Sequence, residues 1–258
     1  MRKSFSAPAI AALGSMLLLG GHTAAMAADR DVTVVLVHGA WADGSSWNKV
    51  IPKLRAKGLP VIAVQNPLTS LEDDVAATKR AIADAKGPVV LVGHSWGGTV
   101  ITEAGNDPKV EALVYVSAFA NDVGESGNEL IAAHPKPPAL STVRQDAAGF
   151  VFQTEEGVLK NFAPDLPKEE AESMAVTQGP LAGKTFEQTV TAAAWKTKPS
   201  WFVVSSEDRV ISPELEAALA KRMNAKTTVL ASSHVSLLSH PTEVAKVIED
   251  AVDAVEKK

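Results

Sequence analysis

Six short runs rich in apolar residues constrain the fold of this chain more than any other feature. They cover residues 32–37, 59–64, 88–92, 110–116, 200–204 and 227–230. Strands that are apolar at nearly every position are buried on both faces, as in a parallel sheet covered by helices. Helical patterns lie between the runs, at residues 47–56, 70–85, 96–104, 213–223 and from Pro241 onwards. This alternation predicts an α/β fold with a mostly parallel sheet of about six strands.

The stretch between Ser117 and Lys198 breaks this rhythm, because no run within it has the apolar character of a buried strand. Prolines and glycines divide it into short helical patterns. About 80 residues without structure of their own are uncommon in a compact domain. We therefore expect a helical cap, inserted at about residues 119–197 into a single domain, that lies over the sheet.

The first 27 residues have the pattern of a secretory signal peptide. Arg2 and Lys3 precede an apolar stretch over 7–21, and an A-x-A cleavage pattern follows at 25–27. The apolar stretch is shorter than the ~20 residues that span a bilayer, which disfavours the alternative of an uncleaved anchor. The sequence thus predicts a mature domain of residues 28–258 that is exported, to the periplasm or outside the cell, without stable membrane association.

The composition excludes several classes of site and partner. None of the 258 residues is cysteine, so disulfides, thiolate metal sites, iron–sulfur clusters and cysteine nucleophiles are excluded. A formal net charge of −5 provides no overall attraction to nucleic acid. We expect no nucleic-acid partner and no metal site.

A G-x-S-x-G pentapeptide, residues 93–97, stands where the third apolar run meets a helical pattern. A sharp turn between strand and helix exposes such a serine at the carboxyl edge of the sheet, and glycines are needed where strand and helix approach closely. Ser95 is therefore the predicted nucleophile, and its hydroxyl needs a base to react near neutral pH. The alternative interpretation is a glycine-rich turn with an incidental serine.

His234 is the predicted base, because it lies between the last apolar run and the final helix, where a loop brings an imidazole to the sheet edge. His240 is the weaker candidate. An acid must orient the imidazole and stabilise its charged form. Asp208, just after the fifth run, is the predicted acid, with Glu207 and Asp122 as alternatives.

Backbone donors must stabilise the oxyanion of a tetrahedral intermediate. The N–H of Trp96 and the N–H of Ala40, in the loop after the first run, are the predicted donors. The indoles of Trp41 and Trp96 either form pocket walls or fill the core. The predicted lining of the substrate pocket is Trp41, Phe119, Phe150 and Phe152.

These motifs resemble the α/β-hydrolase superfamily, and more narrowly its small branch of plant methylesterases and hydroxynitrile lyases. The resemblance rests on residues 38–41 after the first run, on the pentapeptide around Ser95, and on the order of Ser95, Asp208 and His234 along the chain. It implies an α/β-hydrolase fold with a helical cap and no cofactor. It also implies a serine carboxylesterase that cleaves small carboxylic esters through an acyl-enzyme on Ser95.

Other functions within this superfamily stay open at this point. Hydroxynitrile lyases of this branch carry Thr and Lys where this chain has Gly39 and Val235, which disfavours lyase chemistry. A ligand-binding or receptor-like homologue without catalysis is the alternative from another class, because fold does not fix function. A hydrolase of lactones, amides or C–C bonds would use the same three residues.

Overall fold

The computed structural model describes residues 30–257, so the predicted signal peptide lies outside the described residues. The strands are β1 (Thr33–Val37), β2 (Val61–Ala63), β3 (Val89–His94), β4 (Val110–Val116), β5 (Val143–Gln145), β6 (Phe150–Gln153), β7 (Leu181–Ala182), β8 (Ser200–Ser205) and β9 (Lys226–Leu230). Six of them form one parallel sheet in the order β2-β1-β3-β4-β8-β9. This sheet confirms the predicted core.

The central strands are buried at every position in β1, β3 and β8. Their side chains alternate between the two faces of the sheet, so continuous burial requires cover on both faces. Most of these positions hold apolar residues, valine most often, and β-branched residues pack well on a pleated surface. The core of the molecule therefore lies on this sheet.

The helices of the described residues follow the predicted alternation. They are α1 (Ile51–Ala56), α2 (Leu71–Asp84), α3 (Trp96–Ala104), α4 (Gly127–Ala132), α5 (Glu155–Gly157), α6 (Lys168–Thr177), α7 (Pro213–Arg222), α8 (Ser236–Ser239) and α9 (Pro241–Glu256). Prolines occupy the first turn of α1, α7 and α9, where no N–H is needed. None of these helices has both the length and the apolar character of a membrane span.

Two helices illustrate how local sequence sets their bounds. Ser70 caps α2, since its hydroxyl accepts the Asp73 N–H at 3.0 Å. The α9 helix buries one face, including Val244, Ile248 and Ala251, and packs on β3, β4 and β8. The spacing of these residues matches a helix with one apolar stripe.

The segment between β4 and β8 contains more than the helices that the sequence predicts. We call residues 119–197 the cap. Besides α4, α5, α6 and a π-helical turn at Val158–Phe162, the cap holds a three-stranded antiparallel sheet in the order β5-β6-β7. The expectation of a helical cap is thus incomplete. Strands of two to four residues, mostly half-buried or exposed, have no apolar run long enough to be recognised.

Candidate active site

The turn between β3 and α3 holds Ser95 in a strained conformation, with φ 54° and ψ −122°. Such strain in a residue other than glycine occurs at functional sites, where surrounding structure holds the side chain in place. The turn requires its glycines. A Cβ on Gly93 would lie 2.5 Å from the Gly97 carbonyl oxygen, and a Cβ on Gly97 would lie 2.5 Å from the Val37 carbonyl oxygen. The pentapeptide therefore forms the sharp strand–helix turn expected of it.

Asp208 and His234 follow β8 and β9, whose carboxyl ends lie on the same edge of the sheet as that of β3. The Nδ1 atom of His234 lies 2.6 Å from Oδ2 of Asp208, and both side chains are fully buried. The other carboxylate oxygen, Oδ1, accepts the N–H groups of Val210 and Ile211 at 2.7 and 3.0 Å. The carboxylate is thus held from both sides and orients the imidazole.

Burial by itself raises the pKa of the Asp208 carboxyl. The charge of His234 and the hydrogen bonds from His234, Glu216 and Val210 outweigh burial, so this pKa lies below its ordinary value. Asp208 is therefore ionised near neutral pH and stabilises an imidazolium on His234.

The alternative acid and base residues lie apart from this pair. Glu207 is exposed. Asp122 forms an ion pair with Lys196 instead. His240 stands at the start of α9, where its Nδ1 pairs with the Ser239 hydroxyl at 3.0 Å. Of the candidate carboxyl groups, Asp208 is the one that contacts His234.

His94 brings the turn that carries Ser95 next to His234. The two imidazole rings lie 4.8 Å apart, and His94 Nε2 donates to the His234 carbonyl oxygen at 2.9 Å. Burial lowers the pKa of His94 to about 3, so this ring is neutral. Sequence patterns give His94 no role beyond its place in the pentapeptide.

The Nε2 atom of His234 is buried and has no hydrogen-bond partner within the described residues. Because Nδ1 is bonded to Asp208, the imidazole has the tautomer in which Nε2 is the free acceptor. A free Nε2 next to the serine-bearing turn is the atom that a base needs to take a hydroxyl proton.

The predicted oxyanion donors lie close to Ser95. Trp96 is the first residue of α3, so its N–H has no acceptor within the helix. Ala40 lines the same cavity as Ser95. The residue before it, Gly39, lies against Ser95, since a Cβ on Gly39 would lie 2.6 Å from Ser95 Cβ. Both residues thus lie near Ser95, and the role of their N–H groups in catalysis stays a prediction.

His38 holds the loop that carries Gly39 and Ala40. Its Nδ1 donates to the Gly39 carbonyl at 2.9 Å, and its Nε2 accepts the Asn66 N–H at 2.9 Å. The Asn66 side chain donates in turn to the His38 carbonyl at 3.1 Å. The ring is buried, and burial lowers its pKa. His38 is therefore a neutral structural residue of this loop.

The indole of Trp96 fills the core and is not a pocket wall. The ring is completely buried, and its Nε1 donates to Asp74 Oδ2 at 2.8 Å. The other oxygen of Asp74 accepts the Leu68 N–H at 2.8 Å. Burial raises the pKa of Asp74 to about 6. Asp74 is a further buried acid near the site that sequence patterns do not reveal.

A cavity of about 770 Å³ connects Ser95 with the cap. Ser95, Ala40 and Trp41 line it from the sheet side. Residues of the cap line most of the rest, both apolar ones such as Phe119, Ile131, Leu140, Phe150 and Phe186 and charged ones such as Arg144, Lys184 and Glu187. Trp41 also bonds the cap, since its Nε1 donates to the Val151 carbonyl at 2.9 Å. Of the four predicted lining residues, the structure thus places Trp41, Phe119 and Phe150 at the cavity.

Phe152, the fourth predicted lining residue, is not among the residues that line this cavity, and its place in a substrate pocket stays a prediction. Phe152 on β6 lies directly opposite Arg144 on β5. The Arg144 guanidinium covers the ring, with its carbon 4.7 Å from the ring centroid. This cation–π contact gives the aromatic ring a partner within the hairpin.

The cap also holds the loop that carries His234. Asp165 accepts two hydrogen bonds from Ser233, one from its N–H at 2.9 Å and one from its hydroxyl at 2.5 Å. The ring of Phe162 packs edge-on against the His234 imidazole, with centroids 5.1 Å apart. Nothing in the sequence around Asp165 signals this contact, because its partner lies 68 residues away.

No cluster of three or more potential metal-ligating side chains occurs among residues 30–257. A serine on a strained turn, a buried His–Asp pair and two loop N–H groups near the serine form an arrangement that is compatible with a catalytic triad.

Comparison with known proteins shows which proteins this chain is similar to. A probable hydrolase of Phoma sp. is 27% identical over 208 residues, which cover 71% of this chain and 80% of that protein. The solved structure of a pyrethroid hydrolase from Sphingobium faniae matches with a TM-score of 0.77 at 22% identity, over 88% of this chain and 100% of that one. A methylesterase from Arabidopsis matches with a TM-score of 0.72 at 20% identity, over 86% and 99% of the two chains.

The family model for the alpha/beta hydrolase family matches residues 34–247. The matched segment begins within β1 and extends into α9, and so includes Ser95, Asp208 and His234. The chain therefore belongs to the alpha/beta hydrolase family.

Proposed function

We propose that this protein is a serine carboxylesterase that works by two-step acyl transfer. The observation that carries the proposal is the state of His234. Its Nδ1 is held by the Asp208 carboxylate at 2.6 Å, while its buried Nε2 is free and lies near the turn that carries Ser95. A hydroxyl nucleophile requires a base in this state.

In the first step, Ser95 Oγ attacks the ester carbonyl carbon while His234 Nε2 takes the hydroxyl proton. The N–H groups of Trp96 and Ala40 donate to the oxyanion of the tetrahedral intermediate. When the intermediate collapses, the bond to the alkoxy group breaks, and His234 delivers its proton to the departing alcohol. Asp208 stabilises the imidazolium throughout this step.

In the second step, a water molecule attacks the acyl-enzyme while His234 takes one of its protons. The second tetrahedral intermediate collapses with cleavage of the bond to Ser95. His234 returns its proton to the Ser95 oxygen, and the carboxylic acid leaves. The net reaction consumes one ester and one water and yields one acid and one alcohol.

The size and lining of the cavity favour ester substrates with a sizeable apolar group. Its volume of about 770 Å³ and its apolar cap side chains suit an aromatic or branched acyl or alcohol group. The relatives support the ester class, since one is described as a pyrethroid hydrolase and another as a methylesterase.

Turnover of p-nitrophenyl esters tests the proposal. The wild type is expected to hydrolyse the series, with acyl and alcohol size varied separately. Ser95→Ala is expected to lower kcat by about 10⁴-fold or more. Ser173→Ala, an exposed serine on α6, is the matched control and should retain wild-type rates. Equal activity in the wild type and Ser95→Ala, or no turnover of any ester, would contradict the proposal.

We also propose that the protein is exported to the periplasm or secreted. The support is the sequence pattern of residues 1–27, with its basic start, apolar stretch and A-x-A motif. Expression of the full chain followed by cell fractionation and N-terminal sequencing tests this. The expected result is a mature chain outside the cytoplasm that begins at Ala28. An unprocessed chain in the cytoplasm would contradict export.

A further inference from the structure

Glu216 is a second fully buried carboxyl group next to that of Asp208. It lies in the first turn of α7, and none of its surface is exposed. Its Oε2 accepts the Ser205 N–H at 2.9 Å, whereas its Oε1 accepts no hydrogen bond from the described residues. Ser205 links this side chain to Asp208, because the Ser205 carbonyl accepts the Asp208 N–H at 3.2 Å while the Ser205 N–H donates to Glu216, and the two carboxyl groups interact. Two carboxyl groups in such contact form a hydrogen bond only when one of them holds a proton.

The surroundings of Glu216 contain hydroxyl groups that extend the polar region below the active site. The hydroxyl of Ser205 pairs with those of Ser117 and Ser232 at 2.7 and 2.9 Å. Ser117 also pairs with the Ser236 hydroxyl at 3.1 Å. These groups satisfy one another and carry no charge. They therefore do not neutralise a second carboxylate.

The charged groups that bear on the two acids are few. His234 faces Asp208 from the loop after β9. His94, from the end of β3, lies behind His234 and is neutral because it is buried. Two adjacent ionised carboxylates in a buried site repel each other strongly, so one of them retains its proton.

The hydrogen-bond donors decide which acid is ionised. Asp208 receives three donors, from His234 Nδ1 and from the N–H groups of Val210 and Ile211. Glu216 receives one, from Ser205. Donors stabilise the ionised form of the acid that accepts them. Burial and then the charge of Asp208 raise the pKa of Glu216 well above its ordinary value.

We propose that Glu216 is a positioning residue of the active site: it is a protonated acid that donates a hydrogen bond to the Asp208 carboxylate. This inference rests on the proposed esterase function. The hydrogen bond fixes the carboxylate that orients His234, and the pair of acids presents one negative charge to the imidazole instead of two.

Two variants test the proposal through the pH dependence of ester turnover. Glu216→Gln is neutral, and its amide can donate to Asp208 while its carbonyl accepts the Ser205 N–H. It is expected to keep kcat within about threefold of wild type, with the acidic limb of the pH–rate profile unmoved. Glu216→Leu has a similar volume and no donor. It is expected to lower kcat by about 10- to 100-fold at nearly constant KM. Its acidic limb should shift to higher pH, because Asp208 attracts the imidazolium more strongly without the Glu216 proton.

A different profile for Glu216→Gln would overturn the proposal. If Glu216 were ionised, this variant would remove a negative charge near His234 and shift the acidic limb to lower pH by about one unit. If Glu216→Leu had an unchanged kcat and an unchanged acidic limb of its pH–rate profile, the proposal would also be overturned. If Glu216→Leu does not fold, the Glu216→Gln profile still decides the outcome.

The hydrogen-bonded Nδ1 proton of His234 provides a readout that does not require turnover. Its downfield NMR resonance is expected at the same position in wild type and Glu216→Gln, and at a shifted position in Glu216→Leu. A shift in Glu216→Gln would overturn the proposal. If the wild type hydrolysed no ester but the resonance behaved as expected, the function would fail while the role of Glu216 in holding Asp208 would stand.

Discussion

The parallel sheet and the cap contribute to the active site in different ways. The sheet holds Ser95, Asp208 and His234 at one edge through buried contacts and short turns. The cap contributes apolar cavity walls and a few longer-range contacts such as the one from Asp165 to Ser233. On the proposed function, the chemistry is expected to depend on the sheet and the choice of substrate on the cap. Substitutions in the two regions are therefore expected to have different consequences.

The largest effect is expected on the sheet side, from Asp208→Asn. The amide leaves His234 without a carboxylate and favours the wrong tautomer, so kcat should fall by about 10⁴-fold for every ester alike. Steady-state kinetics on several esters measures this. The neighbouring exposed Glu207→Gln is the control and should stay near wild type. A loss of less than about tenfold, or a loss confined to some esters, would remove the distinction between sheet and cap.

Because they are packed differently, the sheet region and the cap should also differ in how much stability a glycine substitution costs. A Cβ on Gly98 in α3 would lie 2.1 Å from the Phe119 carbonyl oxygen, so Gly98→Ala is expected to lower the free energy of unfolding by about 3 kcal/mol. Gly124 in the cap has φ +81°, and a Cβ on it would meet no atom within 4 Å. Gly124→Ala should therefore cost about 1 kcal/mol through backbone strain alone. Urea denaturation compares the two. Equal losses of unfolding free energy in Gly98→Ala and Gly124→Ala would show that close packing around Gly98 costs no more than backbone strain at Gly124.

Asp74 should make the stability of the sheet region depend on pH. Burial raises its folded-state pKa to about 6, above the ordinary value of 3.8, so the folded state holds this proton more tightly than the unfolded state does. The stabilisation is complete below pH 3.8 and is lost as pH rises through about 6, by about 3 kcal/mol in all.

The difference in unfolding free energy between wild type and Asp74→Asn isolates this contribution from that of the other acids. The unfolding free energy of the wild type should decrease relative to that of the variant between pH 4 and pH 7, by about 1.4 kcal/mol per unit of pKa shift. Denaturant unfolding at several pH values measures this change. A difference that stays constant over this range would show that Asp74 is ionised throughout.

The smallest effect is expected from the cap. Asp165→Ala removes the acceptor for two hydrogen bonds from Ser233, so the loop with His234 should lose order and kcat/KM should fall by about tenfold. Glu156→Gln, an exposed cap residue paired with Lys160, is the control and should change nothing measurable. A loss for Asp165→Ala as large as that for Asp208→Asn would mean that the cap is part of the catalytic machinery.

Sequence patterns predict the sheet and the three central site residues because their signals are local. Each strand of the parallel sheet is one apolar run, and Ser95, Asp208 and His234 each follow such a run directly. Parallel topology then brings the strand ends to one edge without further information. The assignment of Asp208 over Glu207 still needs the structure, since two adjacent acids carry the same local signal.

The features that sequence patterns miss depend on contacts between distant segments. Asp74 meets Trp96 across 22 residues, and Asp165 meets Ser233 across 68. Glu216 has the pattern of an ordinary polar residue in the first turn of a helix, and only its burial against Asp208 gives it another role. The strands of the cap are too short to show an alternation of apolar and polar residues. The position of Phe152 depends on a hairpin partner that the sequence does not specify.

Covalent labelling tests most directly whether Ser95 is the nucleophile. The protein is treated with a fluorophosphonate, and intact mass and peptide mapping locate the adduct. We expect one phosphonyl group per chain, on Ser95, and no adduct in Ser95→Ala. We also expect much slower labelling in Asp208→Asn, since His234 then lacks its orienting carboxylate. Labelling at another serine, or undiminished labelling of Ser95→Ala, would contradict the assignment of Ser95.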